Sequence, residues 1–279
     1  TLLNSFSGVE IKSGGGLLLT EMIKDFSFEP PLTGGGSFTA KDFGYTITMS
    51  GDNSAFTGTF DFNLVYAKLT NDKGFGTTNQ VTVACYKPRG SNKWGLSVSG
   101  LTVSNRIDSY ALYATAGATF CGPVTLDGYR TVTGNAHFKG GLTHTGTWTA
   151  FLGGSGFNNS SVYLEGDKPI GGEYTQYTPD GGPIFAKSGG AVYLGAPFRS
   201  GYGQNFMVEG TLTCTKANVF SPVNGVRFGA DATKSVSAVF DLNGFDQSIS
   251  NLNAKAAVGF EGTTLTSATP AKLTLFGGM

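Results

Sequence analysis

From Glu165 to Gly182 the chain reads Glu-Gly-Asp-Lys-Pro-Ile-Gly-Gly-Glu-Tyr-Thr-Gln-Tyr-Thr-Pro-Asp-Gly-Gly. This stretch places the carboxylates of Glu165, Asp167, Glu173 and Asp180 close in sequence to the phenols of Tyr163, Tyr174 and Tyr177. Carboxylates beside aromatic platforms are what a glycan cleft uses. One acid protonates the leaving oxygen, a second acts as base or nucleophile, and the rings stack on the sugar. The seven residues are thus candidates for glycan contact, or for glycan cleavage. The plainer reading is a solvated insertion loop with ordinary turn acids. It is favoured because no ladder of acids at matching positions can be aligned along the chain. We therefore assign no catalytic residue and expect a non-enzymatic protein, with polysaccharide degradation as the runner-up.

Other chemistries find less support. His137 and His144 lie seven apart with no evident third ligand, which does not make a zinc site. Asp52-Asn53 and Asp231 are isolated, and no glycine-rich nonapeptide repeat supplies clustered oxygens for calcium. No Gly-x-Ser-x-Gly elbow marks a serine nucleophile. No cofactor or metal is expected. The three cysteines, Cys85, Cys121 and Cys214, fit no zinc spacing. They read as small buried hydrophobes, or as a Cys85–Cys121 disulfide in an oxidising compartment. Lys and Arg number 19 against 19 Asp and Glu, with no basic stripe for nucleic acid. No apolar run approaches the ~20 residues of a membrane-spanning helix.

The elements that must carry these residues are strands. Gly accounts for 43 of 279 residues and Phe for 22, while only 14% are charged. Such a chain is too apolar for disorder and twice as rich in glycine as an average domain. Short alternating segments recur, among them Ser37–Ala40, Tyr45–Met49, Gly58–Asn63, Val81–Cys85, Leu96–Ser99, Val124–Leu126, Val162–Leu164, Ala191–Leu194, Gly210–Cys214 and Lys272–Leu275. Each is bounded by Gly, Asn, Asp or Pro, the punctuation of an all-β chain. Asn243-Gly244 supplies a corner, since both residues tolerate positive φ. No convincing amphipathic helix is present; Leu17–Phe28 is the best candidate for a short helix or turn.

A sandwich of this length would need two domains and a linker, and no linker is visible. Short Thr-rich strands with Gly and Asn corners suit a β-solenoid, at roughly 20–25 residues per coil. Inward Leu, Val, Ile and Phe would stack on the same types in the next coil.

Several segments resemble a known family. Gly210-Thr-Leu-Thr-Cys-Thr-Lys-Ala-Asn-Val-Phe-Ser221 is similar to the "GTL-x-L-x-x-x-N" coil of autotransporter-type passenger repeats, and Val226-Arg-Phe-Gly229 follows as a next rung. Phe240–Leu252 is similar to the "LDLNG-x-x-Q-T-I-x-x-L" segment, and Ala271–Gly278 to the closing "LT-x-GG" rung. Ile47–Gly58 resembles "LTLSG-x-N-x-FTG", and Ser5–Val9 resembles the "FSG-x-I" before it. The motifs specify a coil type rather than a chemistry.

The resemblance implies an all-β fold, a right-handed parallel β-helix, in a secreted or surface-displayed bacterial protein located outside the cell or on its outer surface. We expect a single elongated domain over 1–279, with regular coils about 1–63 and 208–279. Irregular or insertion-bearing coils would occupy about 64–207. The expected role is structural or adhesive. The partners would be the protein itself, end to end or laterally, with surface glycans or host and matrix proteins as further partners. Thr1-Leu-Leu and Lys272-Leu-Thr-Leu-Phe look ready to pair, so self-association or continuation of the native chain is expected at both ends.

Overall fold

The computed structural model describes residues 2–21, 23–41, 44–76, 80–84, 95–126, 134–144, 150–152, 161–172, 184–186, 190–199, 205–229, 237–254 and 262–277. Among them the protein is all-β: every strand pairing is parallel, and the one helical turn is a 3-10 turn at Leu2–Ser5. No helix among the described residues is long and apolar enough to cross a membrane. The chain divides into two compact units, residues 1–127 and 128–279.

Partner strands lie about 20–30 residues apart in most pairs, because parallel strands cannot be joined by a tight hairpin. In the first unit one sheet runs Gly16–Leu19, Ser37–Lys41, Thr59–Asn63, Gln80–Ala84, Arg106–Ser109 and Val124–Leu126. A second runs Phe26–Phe28, Thr46–Met49, Tyr66–Leu69, Gly95–Ser99 and Leu112–Thr115. Two-residue strands Val9–Glu10 and Leu32–Thr33 pair with each other, and Thr102–Val103 pairs with Ala118–Phe120. The described residues of 17–28 include no helix. The ends of this interval belong to the strands Gly16–Leu19 and Phe26–Phe28, and Glu21 between them takes a positive φ of 56°. The sequence there breaks helical periodicity, and pairing with the next coil rewards an extended backbone instead.

Alternation sets which side chains go inward. Phe38, Phe60 and Val81 lie in one inward column, flanked by Ala40 and Phe62. Phe60 has four ring neighbours, Phe38, Phe56, Phe62 and Phe75, at centroid distances of 5.5, 5.0, 6.0 and 5.5 Å. Offset and edge contacts of this kind stabilise beyond the burial of area. Buried amides complete the interior. Asn53, fully buried, links three successive coils through its side chain.

In the second unit one sheet runs Ala136–Phe138, Ser161–Leu164, Ala191–Leu194, Thr211–Cys214, Ala238–Asp241 and Thr263–Thr266. Another runs Ala150–Leu152, Ile184–Ala186, Phe206–Val208, Val226–Phe228 and Leu252–Ala254. Gln247–Ile249 pairs with Leu273–Leu275, and Leu142–His144 with Ile170–Gly172. Strands thus pass through 64–207 as well as the flanking segments. The corner expected at Asn243-Gly244 is present, with φ of 48° and 81°. The Asn243 side chain also donates to the Cys214 carbonyl oxygen at 3.2 Å. Inward positions carry Ala136, Val162, Val192, Leu212 and Phe240 in one column, all buried.

Candidate glycan-contact face

The outward column beside that core is where the chemistry lies. Register places His137 opposite Tyr163 and Tyr163 opposite Tyr193. Because the strands are parallel and in line, identical outward positions stack directly, at roughly the ~4.8 Å separation of neighbouring strands. The His137 and Tyr163 rings are 4.3 Å apart and within 3° of parallel. Those of Tyr163 and Tyr193 are 4.6 Å apart and within 8°. All three residues are half-buried, so ring edges reach solvent.

Glu165 and Asp167 follow directly where the strand Ser161–Leu164 ends. The Glu165 backbone N–H donates to Phe138 O at 2.8 Å, which ties the corner to the coil below. Gly166 takes φ of 85°, and a methyl there would meet the Lys139 carbonyl oxygen, so the corner requires glycine. The Glu165 carboxylate returns to the stack, with Oε2 3.3 Å from His137 Nδ1. The Asp167 carboxylate accepts from Lys216 Nζ at 2.8 Å. That hydrogen bond and charge hold its carboxyl below the usual carboxylate range. A general acid needs the opposite displacement, so Asp167 is poorly suited to protonate a leaving group.

Of the seven residues singled out from sequence, Tyr163 and Glu165 come together here through His137, whereas Asp167 bonds Lys216 instead. Glu173, Tyr174, Tyr177 and Asp180 lie outside the described residues. Cys85 does too, while Cys121 and Cys214 are free thiols, exposed and buried respectively. Two members of the face escaped the sequence reading: His137, considered only as a metal ligand, and Tyr193. The signal was present in the near-repeat of Ser161-Val-Tyr-Leu164 and Ala191-Val-Tyr-Leu194. The shared Val-Tyr-Leu on adjacent coils places the two phenols in register. Among the described residues no group of three or more His, Cys, Asp or Glu could hold a metal ion.

Chemically, the face offers three rings stacked on one another, with a carboxylate bonded to the first ring. Ring edges and phenol hydroxyls, rather than ring faces, therefore meet a ligand there, with Glu165 as a hydrogen-bond acceptor beside them. Comparison with protein-family models, with curated proteins and with solved structures returns no match.

Proposed function

We propose that the chain is a right-handed parallel β-solenoid of a secreted or surface-displayed bacterial protein, and that it works without catalysis as an adhesive scaffold. The observation that carries the reading is the stack His137–Tyr163–Tyr193, parallel within 3° and 8° on an outward strand face. Along such a stack the ring edges and phenol hydroxyls can meet the C–H and hydroxyl groups of a sugar. Support for the solenoid comes from the purely parallel pairing at coil-length separations and from the coil motifs quoted above. The carboxylates fit adhesion better than hydrolysis, since Glu165 is bonded to His137 and Asp167 to Lys216.

The test is retention of the protein on immobilised polysaccharides, with release of reducing ends followed in parallel. Wild type should be retained and should release nothing. Tyr163→Ala with Tyr193→Ala should abolish retention without changing the melting temperature by more than a few degrees. Release of reducing ends that disappears in Glu165→Gln would replace adhesion with catalysis.

A second reading, self-association, is favoured by one observation. The strands Thr263–Thr266 and Leu273–Leu275 each stand last in their sheets among the described residues. Leu265, Leu275 and Phe276 there are 46%, 53% and 60% exposed. A second copy adding its own strand would cover them. Leu265→Lys with Leu275→Lys should then convert assemblies to monomers in sedimentation velocity. Identical profiles for the variant and wild type would remove this reading.

A further inference from the structure

The first unit contains an open cleft of about 450 Å3 on the outward side of the sheet that includes Thr46–Met49 and Tyr66–Leu69. Its lining is Asp25, Ser27, Thr46, Thr48, Tyr66, Lys68 and Ser97 around Phe26. Register explains why these residues meet. Ser27, Thr48, Lys68 and Ser97 occupy one outward column, and Thr46 and Tyr66 occupy the neighbouring one. The position beyond Tyr66 in its column is Gly95, which has φ of 90°. A methyl there would strike the Ala111 carbonyl oxygen, so no side chain can stand at that point. The missing side chain lets the Tyr66 ring reach Tyr113, two coils away, edge to face at 5.7 Å. Tyr66 lines the cleft, with Tyr113 packed against it. Burial raises the Tyr66 phenol above its ordinary value, partly offset by a hydrogen bond with Ser97, so it stays protonated and can donate at neutral pH.

The charges are set apart. Asp25 Oδ1 accepts the Thr46 backbone N–H at 2.8 Å, which holds the carboxylate at one end. Lys68 stands two coils further on, roughly 10 Å along the stack at ~4.8 Å per strand. Lys68 has no ion-pair partner among the described residues. Between the two ends stand hydroxyls, each both donor and acceptor, matching the hydroxyls of a sugar. An unpaired ammonium in a polar cleft asks for an anion, and a charge-assisted bond is the stronger kind.

We propose that this cleft binds an acidic saccharide, with the sugar carboxylate on Lys68, the ring against Tyr66, and hydroxyl groups toward Asp25. The site is separate from the aromatic stack of the second unit and does not depend on it. The Asp25 end disfavours a second anion, so a chain alternating acidic and neutral sugars fits better than one with consecutive acids.

The test is calorimetric titration of the full chain with a tetrasaccharide of alternating glucuronate and N-acetylglucosamine, and with its carboxyl-reduced, neutral counterpart. The acidic form should bind at least tenfold more tightly, and the difference should shrink as salt rises. Lys68→Met should lose that tenfold preference, and Tyr66→Ala should weaken both ligands. Tyr163→Ala should leave this binding unchanged. Circular dichroism melts check that the variants fold, as expected for Lys68, whose side chain is exposed. Absence of binding, equal binding of the neutral form, or an unaltered preference in Lys68→Met would each overturn the proposal. Loss of binding in Tyr163→Ala alone would assign the ligand to the second unit and overturn it equally.

Discussion

The side-chain amide of Asn53 donates to the carbonyl oxygen of Gly74 at 2.6 Å, twenty-one residues on. Its Oδ1 accepts from the Leu32 N–H at 2.7 Å, twenty-one residues back. One fully buried side chain therefore joins the coil before it to the coil after it. Buried Gln247 in the second unit ties itself twice to the coil before it. It accepts from Val219 N at 3.0 Å and donates to Lys216 O at 2.7 Å. Both satisfy corner backbone groups that no strand partner reaches, and an unpaired buried group is costly.

Asn53→Ala leaves a buried N–H and a buried carbonyl without partners. We expect a loss of about 2–4 kcal/mol, two such groups at ~1–3 kcal/mol each with some water entry. Urea unfolding of wild type and variant reads this directly. A midpoint unchanged at equal slope would show that Asn53 is dispensable.

Phe60 touches four other rings at the centre of the first unit's core. Phe60→Ala removes those contacts and leaves a cavity, which costs about 3–5 kcal/mol. Phe60→Leu should cost less because it keeps most of the volume. If Phe60→Leu unfolds at the same urea concentration as wild type, the ring contacts add nothing beyond bulk.

Asp61 faces outward between Thr39 and Thr82, and burial raises its carboxyl above the ordinary value of 3.8 against a smaller opposing effect of Lys41. In the unfolded chain the carboxyl returns to its ordinary value. As pH rises past 3.8 the unfolded state loses its proton first, so stability falls up to the folded value and the penalty persists at neutral pH. Asp61→Asn should therefore melt higher than wild type at about pH 7 and match it at about pH 2.5. Thermal melts at the two pH values check this, and a variant less stable at neutral pH would contradict it.

Burial, with a smaller contribution from the Asp241 charge, pushes the Cys214 thiol from 9.0 up to about 12. Cys121 is exposed. Iodoacetamide at about pH 8 should label Cys121 within minutes and Cys214 only after denaturation, since the thiolate is the nucleophile. Peptide mass spectrometry distinguishes the two. The same displacement means that the unfolded chain ionises first above 9.0, so Cys214 removes stability between 9.0 and about 12. Cys214→Ala should flatten that alkaline decline.

The strands were largely legible because alternation is a local property. Ser37–Lys41, Thr46–Met49, Thr59–Asn63 and Ala191–Leu194 lie where apolar and polar residues alternate between turn residues. Arg106–Ser109 and Ala136–Phe138 were not, since three or four residues with charged or aromatic outward members give too little periodicity. The corner at Asn243-Gly244 was legible for a similar local reason, as few other pairs accept positive φ twice.

By itself the sequence determined an all-β chain and its apolar interior, because residue type and period-two alternation settle which side of a strand is buried. Only the tertiary structure decided register. Successive coils differ in length, so distance along the chain does not say which residues face each other. Tyr163 meets Tyr193 thirty residues later, whereas Lys68 meets Ser97 twenty-nine residues later and Thr48 twenty residues earlier. A parallel sheet sums those unequal loops into one column by backbone hydrogen bonding. That pairing turned scattered phenols into a stack, and set Lys68 and Asp25 at opposite ends of a cleft.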